Sequence, residues 1–546
     1  MHGLMQGRPL LISGLLDYAA SYHPDRPIVS RDADGSIHRS DWRSIAARAR
    51  RLANALADLG VQPGQPVATL AWNGYRHLEL YFGVTGSGRI LHTVNPRLFP
   101  EQLRYIIDHA EDTVIFFEPG FAALAEQLAP DLPHAKTYVA LCDRAAMPAA
   151  NLPNLLCYDD LLTRAAADYD WPEFDENTAS TLCYTSGTTG NPKGVLYSHR
   201  STVLHSFCAV STDVMGISCN DVVMLVVPLF HANAWGLPFA AAMTGAALVL
   251  PGPRLDPESI FGLLRDEHVT VAGGIPSIWL NFLAWVDANR ATLDLSAIHL
   301  GRVLSGGSAV PRATLEGFER LFGSRMIHAW GMTETSPIAT IGTLLPKHAG
   351  LGRPAQIDVQ LKQGRSVYGC EVKIVGADGQ DMPHDGVAVG ELRVRGPWVI
   401  AGYFKGAGGQ VLDEDGWFGT GDVASIDPDG FVQLTDRLKD VIKSGGEWIS
   451  SIDIENHAVS HPDVHEAAVI AIAHPKWQER PLLLVHPKSG REPSKDDILA
   501  FLSTRIAKWW LPDDVIFVEE LPHTATGKLL KTKLREDYGG HIAVRG

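Results

Sequence analysis

Tyr184-Thr185-Ser186-Gly187-Thr188-Thr189-Gly190-Asn191-Pro192-Lys193-Gly194 is the stretch on which the reading of this chain turns. Three glycines let the backbone turn tightly and present N–H groups inward, while four Ser/Thr hydroxyls and one lysine share the same small volume. Backbone N–H groups and a cation complement fixed negative charge, so such a loop suits polyphosphate. A Walker A loop beginning at Gly187 would need Gly-Lys at 192–193, and the chain has Pro192-Lys193. The loop follows the strand-like Leu182–Tyr184, which places it at a strand end.

Outward from this loop, strands and helices alternate. From Ser40 to Leu59, the residues Trp42, Ile45, Ala49, Leu52, Ala53, Leu56 and Leu59 recur at helical spacing, with Gly60 as a C-terminal stop. Val67–Trp72 and Val114–Phe117 read as strands, and His77–Val84 and Glu101–Ala110 as helices. Further along come strand Val222–Val227, helix Pro257–Glu267, strand Val269–Ala272, helix Pro276–Asp287 and strand His299–Leu304. Alternation of this kind predicts an α/β architecture with largely parallel sheets.

After about Gly350 the texture changes. Val372–Val375, Glu391–Val394 and Phe431–Leu434 are short strands among the Asp-Gly pairs 378–379, 385–386, 415–416 and 429–430, the pattern of a small antiparallel or barrel-like β region. Beyond Asp436, a helix near Ile452–Ser460, strands Ala467–Ala473 and Leu482–His486 and a helix Lys495–Lys508 read as a separate α+β unit. The expected domains are therefore 1–436 and 437–546.

Composition narrows the functional classes. The 546 residues carry 47 Lys+Arg against 62 Asp+Glu, a net charge of −15, which argues against a chain built to hold nucleic-acid phosphates. Six cysteines without a CxxC pair indicate neither a disulfide framework nor a zinc site. No stretch has the eighteen or so apolar residues of a membrane span. The apolar patch Leu10–Leu16 is broken by Ser13-Gly14 and lacks a charged leader and a small-residue cleavage site, so it reads as a buried strand or helix. A cytoplasmic address follows as an expectation.

The loop at 184–194 resembles the phosphate-binding signature of the adenylate-forming superfamily, which includes acyl-CoA synthetases, luciferases and adenylation domains. The resemblance continues in order. Ser305-Gly306-Gly307-Ser308-Ala309 is similar to the adenine-contacting turn, and His328-Ala329-Trp330-Gly331-Met332-Thr333-Glu334-Thr335 to the G-x-T-E motif. Gly419-Thr420-Gly421-Asp422 resembles the ribose-binding segment, Asp436-Arg437-Leu438-Lys439 the interdomain hinge, and Ala525-Thr526-Gly527-Lys528 the terminal lysine motif.

The resemblance implies a large N-terminal domain of layered β-sheets with flanking helices and a small β-barrel subdomain, followed by a mobile C-terminal α+β domain. It implies that Thr185 and Lys193 contact the β- and γ-phosphates while the backbone of Ser186, Gly187, Thr188, Thr189 and Gly190 wraps them. Gly307, Ser308, Ala309 and the run from His328 to Thr333 would hold the adenine side. Asp422 would accept from the ribose hydroxyls, with Arg437 reaching the same sugar. Thr185 and Glu334 would anchor Mg²⁺, a hard cation that prefers oxygen ligands. Lys528 is the residue implied for the first step, bridging carboxylate and phosphate oxygens.

That step is carboxylate attack on the α-phosphate of ATP, with pyrophosphate leaving and an acyl-adenylate remaining. In the second step coenzyme A attacks the adenylate carbonyl. The resemblance implies that the C-terminal domain turns about a hinge at Lys439 and that Lys443, Ser444, Gly445, Gly446 and Trp448 would line the thiol's approach. His231, Trp235 and Gly306 would bound the acyl pocket, His231 beside the carboxylate and Trp235 as wall or gate. Asn233 and Ala234 stand where amino-acid-activating relatives hold an ammonium, which points to a plain acid.

The wording of Tyr197–Ser206 and Lys443–Ser450 resembles bacterial medium- and long-chain fatty-acyl-CoA synthetases and, equally, methylmercaptopropionate–CoA ligases. An acid–thiol ligase for an apolar-tailed carboxylic acid is the expectation, with a homodimer by analogy. The competing readings are a carrier-loading adenylation enzyme, a luciferase-like monooxygenase and a nucleotide-binding regulator without catalysis.

Overall fold

The computed structural model describes residues 1, 3–185, 191–376, 378–437, 440–444, 447–523 and 529–541. Two large sheets carry the body. The first has seven strands, in the order Leu155–Cys157, Thr137–Ala140, Val114–Phe117, Pro66–Leu70, Ile90–Thr93, Ala179–Tyr184 and Gly194–Ser198. All its pairings are parallel except the last, where the strands on either side of the 185–193 loop run antiparallel. The second sheet has thirteen strands. Its central block, Pro27–Arg31, Ala247–Leu250, Val222–Leu225, Val271–Gly274, Arg302–Gly306 and Arg325–Gly331, is parallel throughout.

The helices pack as the apolar spacing predicts. Asp41 caps Trp42–Asp58 by accepting the Ser44 N–H at 2.8 Å, and Gly60 takes the left-handed conformation (φ 78°) just past its end. Trp42, Ile45, Ala49, Leu52 and Leu56 are all fully buried. Trp42 also donates its indole N–H to the Ala246 carbonyl at 2.9 Å. Truncating such a buried tryptophan to alanine costs about 3–5 kcal/mol. The neighbouring helix Tyr75–Gly86 approaches so closely that a Cβ at Gly83 would lie 2.7 Å from Leu52.

The β-rich region after 350 is antiparallel, as its Asp-Gly turns predict. Gly379, Gly386, Gly416 and Gly430 all sit at positive φ. Its strands Glu371–Val375, Val389–Arg395, Phe418–Ile426 and Phe431–Arg437 are not set apart from the body. They extend the thirteen-stranded sheet through Gly364–Ser366 and Ile338–Ile341.

The C-terminal unit is α+β, with Val464–His474 and Gln478–Pro487 as its long antiparallel pair. Helix Lys495–Ser503 is shorter than the expected Lys495–Lys508. The hydroxyls of Ser503 and Thr504 bond back to the carbonyls of Ala500 and Phe501, competing with the next helical turn. The patch at Leu10–Leu16 resolves into a helix, Ile12–Tyr22. Among the described residues no helix is long and apolar enough to cross a membrane.

Candidate functional site

Open α/β sheets place ligands beyond the carboxyl ends of their strands. The motif residues gather at such ends. The loop 185–193 follows strand Ala179–Tyr184; Gly307–Ala309 follows Arg302–Gly306; Glu334 follows Arg325–Gly331; and the segment 228–236 follows Val222–Leu225.

The loop base is closed by two hydrogen bonds. Thr185 N–H donates to the Lys193 carbonyl at 2.9 Å, and Lys193 N–H donates to Thr185 Oγ1 at 3.2 Å. Lys193 is exposed, and its Nζ lies 4.9 Å from the centre of the Tyr403 ring. A Cβ at Gly408 would come within 2.9 Å of the same ammonium, so glycine keeps its space.

Glu334 sits in a short turn, Thr333–Thr335, that the sequence tightens locally. Met332 N–H donates to Thr335 Oγ1 at 2.9 Å, and a Cβ at Gly331 would lie 1.7 Å from the Pro337 carbonyl oxygen. The Glu334 side of the turn is buried at 6 % exposure, and Oε1 accepts the Tyr403 hydroxyl at 2.6 Å. Tyr197 donates its hydroxyl to the Thr333 carbonyl, also at 2.6 Å. Burial and the neighbouring Glu334 charge push the Tyr403 phenol well above its ordinary value. Tyr403 therefore touches both the cation and the carboxylate, a role that sequence reasoning missed. Its only cue is an aromatic beside Gly402 in a turn-rich stretch.

Asp422 and Arg437 face each other across neighbouring strands, with Arg437 Nε 2.8 Å from Asp422 Oδ1. Trp330 donates its indole N–H to Oδ2 at 2.9 Å. The Asp422 carboxylate is 2 % exposed, whereas the Arg437 side chain remains 42 % exposed. The register shifts at Val423/Ala424, a bulge beside the pair that re-aims the strand.

Gly306 pairs with Ala329, and a Cβ there would meet the Ala329 carbonyl oxygen at 2.7 Å. Gly307 adopts φ 86° and is exposed together with Ser308, while Ala309 and Ala329 are half-buried. His328 Nδ1 lies 3.0 Å from the Leu361 carbonyl, an acceptor, so Nδ1 carries the ring proton in the neutral form. Its Nε2 is then a buried acceptor with no partner among the described residues. Burial pulls the His328 pKa down to about 4, which keeps the ring neutral.

His231 is half-buried at the start of an unusual turn. Ala232, Asn233, Ala234 and Trp235 have φ of 43°, 54°, 48° and 60°, and Gly236 follows at 74°. Left-handed backbone costs non-glycine residues about 1–2 kcal/mol each. Burial of the whole turn and the Asn233 amide hold it there: Nδ2 donates to Thr181 Oγ1 at 2.9 Å, and Oδ1 accepts from the Tyr81 hydroxyl at 3.3 Å. Trp235 is 8 % exposed against this turn.

In the C-terminal unit Lys443 is exposed and Ser444 buried; Lys443 N–H donates to Glu479 Oε2 at 2.7 Å and Arg480 donates to Ser444 Oγ at 3.3 Å. Ser186, Gly187, Thr188, Thr189, Gly190, Lys439, Gly445, Gly446 and Lys528 lie outside the described residues, as does the Trp448 side chain. The structure thus brings together Thr185, Lys193 and Glu334 with Tyr403, and Trp330 with Asp422 and Arg437. A surface cavity of about 410 Å³, lined by Arg365, Cys370, His384 and Trp417 among others, contains none of them.

The family model for AMP-binding enzymes matches residues 16–404, and that for the AMP-binding enzyme C-terminal domain matches 453–528. The chain is 50% identical over 538 residues to a 3-methylmercaptopropionyl-CoA ligase of Ruegeria lacuscaerulensis, covering 98% of this chain and 99% of that protein. It is 47% identical over 539 residues to a medium-chain fatty-acid–CoA ligase of Ectopseudomonas oleovorans, covering 99% and 98%. Among solved structures it resembles the anthranilate CoA ligase AuaEII in complex with anthranoyl-AMP, with a TM-score of 0.85, 25% identity and coverage of 97% and 98%. Matched in order by both models, with its motif residues gathered at the strand ends, the chain belongs to the family of AMP-binding enzymes.

Proposed function

We propose that this chain is an AMP-forming acid–thiol ligase, which joins an apolar-tailed carboxylic acid to coenzyme A at the expense of ATP. The observation that carries the reading is the meeting of Lys193 and Glu334 on Tyr403: a phosphate-seeking cation and a buried carboxylate, brought from separate strand ends to one ring. Relatives named for 3-methylmercaptopropionate and for medium- and long-chain fatty acids support the same reaction class.

A carboxylate and a triphosphate repel one another, so the site must neutralise charge and hold the attack in line. Lys193 and the loop N–H groups take the β- and γ-phosphates. Asp422, braced by Trp330 and Arg437, takes the ribose hydroxyls.

Mg²⁺ fits this donor set. Among the described residues no cluster of three or more His, Cys, Asp or Glu could hold an ion alone, whereas Glu334 and Thr185 supply a carboxylate and a hydroxyl to an ion shared with phosphate. When bound, the ion supplies charge neutralisation on the triphosphate.

His231 orients the acid. A carboxylate oxygen attacks the α-phosphorus, the bond to pyrophosphate breaks, and Lys528 stabilises the charge that develops. The coenzyme A sulfur then attacks the adenylate carbonyl carbon and AMP leaves, with the C-terminal domain (437–546) turned relative to the body (1–436) about Lys439. The cytoplasm is the compartment that six free cysteines fit. A homodimer is the assembly proposed, by analogy with similar enzymes.

The test is product analysis with Mg-ATP, coenzyme A and a panel of acids from acetate to dodecanoate plus 3-methylmercaptopropionate. AMP and pyrophosphate are expected, with ATP preferred over GTP; ADP as the product would overturn the reading. Lys528→Ala should abolish adenylation and spare thioester formation from a pre-made acyl-adenylate. Turnover with a carrier protein but not with free coenzyme A would favour the loading enzyme instead.

A further inference from the structure

His205 lies on the helix His199–Val210 and is 2 % exposed, and among the described residues only one of its ring nitrogens has a hydrogen-bond partner. Its Nε2 accepts the backbone N–H of Ile338 at 3.3 Å. A backbone amide can only donate, so Nε2 holds a lone pair and the proton of the neutral ring is on Nδ1. Burial lowers the His205 pKa to about 4 and keeps the ring in that form at neutral pH. Among the described residues no acceptor lies within hydrogen-bond reach of this Nδ1–H.

The ring borders a cavity of about 10 Å³ shared with Tyr197, Thr202, Asn233, Gly236 and Ser336. Gly236 makes that possible, since a Cβ there would lie 2.7 Å from His205 Nδ1. The other hydroxyls on the wall are committed to backbone carbonyls: Tyr197 to Thr333, Thr202 to Ser198 and Ser336 to Trp398. His205 therefore presents an uncommitted donor to a space that holds about one heavy atom or one water.

The position is informative. Asn233 and Gly236 belong to the turn that follows His231, and Thr333 and Ser336 flank Glu334. The cavity thus lies between the turn that follows His231 and the turn that holds Glu334. A saturated hydrocarbon there would leave the N–H buried and unpaired, which costs about 1–3 kcal/mol. An ether oxygen is a good acceptor and a thioether sulfur a weak one.

We propose that His205 is a specificity-determining residue, whose Nδ1–H donates to an acceptor heteroatom in the tail of a short carboxylic acid, so that ether- and thioether-bearing acids are favoured over all-carbon acids of the same length. The inference rests on the reading that this chain activates a carboxylic acid beside His231.

The test compares kcat/KM for 3-methoxypropionate, 3-methylmercaptopropionate and pentanoate, in the wild type and in His205→Phe, by pyrophosphate release. Wild type should prefer both heteroatom acids to pentanoate. In His205→Phe the methoxypropionate-to-pentanoate ratio should fall about tenfold, the factor a hydrogen bond of ordinary net strength gives. The KM for ATP should stay unchanged. An equal fall for all three acids means that His205 only supports the fold, and overturns the proposal. Should the variant not fold, the wild-type ratio decides: an apolar pocket favours CH₂ over oxygen, so a ratio below one overturns it too. Release of AMP with all three acids at an unchanged ratio defeats this inference alone. Absence of AMP with every acid defeats the underlying reading, and this inference with it.

Discussion

Tyr403 shows what a single side chain contributes that no motif announces. Its hydroxyl holds one oxygen of Glu334 while its ring face lies under Lys193, so one residue sets the distance between the carboxylate and the cation. Lys193 reads as a phosphate-seeking cation because glycines and hydroxyls surround it, and Glu334 reads as a metal anchor only through the motif it resembles. Tyr403 was not legible, because 69 residues separate it from Glu334 and only the sheet brings them together. Tyr403→Phe keeps the ring and removes the hydroxyl. A hydrogen bond to a charged group is worth about 1.5–3 kcal/mol, so kcat/KM for ATP should fall about tenfold or more. Steady-state kinetics checks this, with the KM for coenzyme A as the control that should move little.

At the level of elements, periodicity located most helices and strands to within a few residues, because one buried face imposes it. The left-handed turn Ala232–Gly236 left no such trace: Ala, Asn, Ala and Trp do not ordinarily signal positive φ, and only Asn233 and the enclosing core select it. A second contact between elements gives a pH prediction. His199, first residue of its helix, accepts the Ile12 N–H on Nδ1 at 3.1 Å and so holds the start of the N-terminal helix Ile12–Tyr22. Burial lowers its pKa to about 4, while an unfolded histidine titrates near ~6.5. Between those values the unfolded chain binds the proton and the folded one does not, so this stability is complete above ~6.5 and is lost as pH falls toward 4. Protection of the Ile12 amide against hydrogen exchange should drop through that window. His199→Gln should flatten the dependence.

For the whole molecule, the C-terminal unit touches the body at Asp436 and is braced from within by its final helix. Asp436, on the body's last strand, accepts the Ser451 N–H at 2.9 Å from the first helix of the C-terminal unit. Lys531, on its final helix, pairs with Glu455 at 2.7 Å and donates to Ser451. Arg535 of that helix pairs with Asp440. Burial raises the Glu455 carboxyl to about 7 even with Lys531 beside it. Removing one partner of such a buried pair costs about 3–5 kcal/mol. Lys531→Met should therefore lower the melting temperature of the C-terminal unit and leave the transition of the body in place, as read by calorimetry. Two transitions that shift together would show that the units unfold as one.

The sequence by itself determined the α/β class, the order of the motifs, the residue types proposed to handle phosphate, and the change of texture after Gly350. These are local properties: hydrophobic period, turn chemistry and the spacing of charged and glycine residues. Only the tertiary structure decided that the antiparallel strands extend the large sheet, that Tyr403 joins Lys193 to Glu334, that Trp330 and Arg437 share Asp422, and that His205 faces a cavity with an unpaired N–H. The reason is physical. Each of these depends on which strands become neighbours and which side chains are then sealed from water, and that outcome belongs to the packing of distant segments rather than to any one of them.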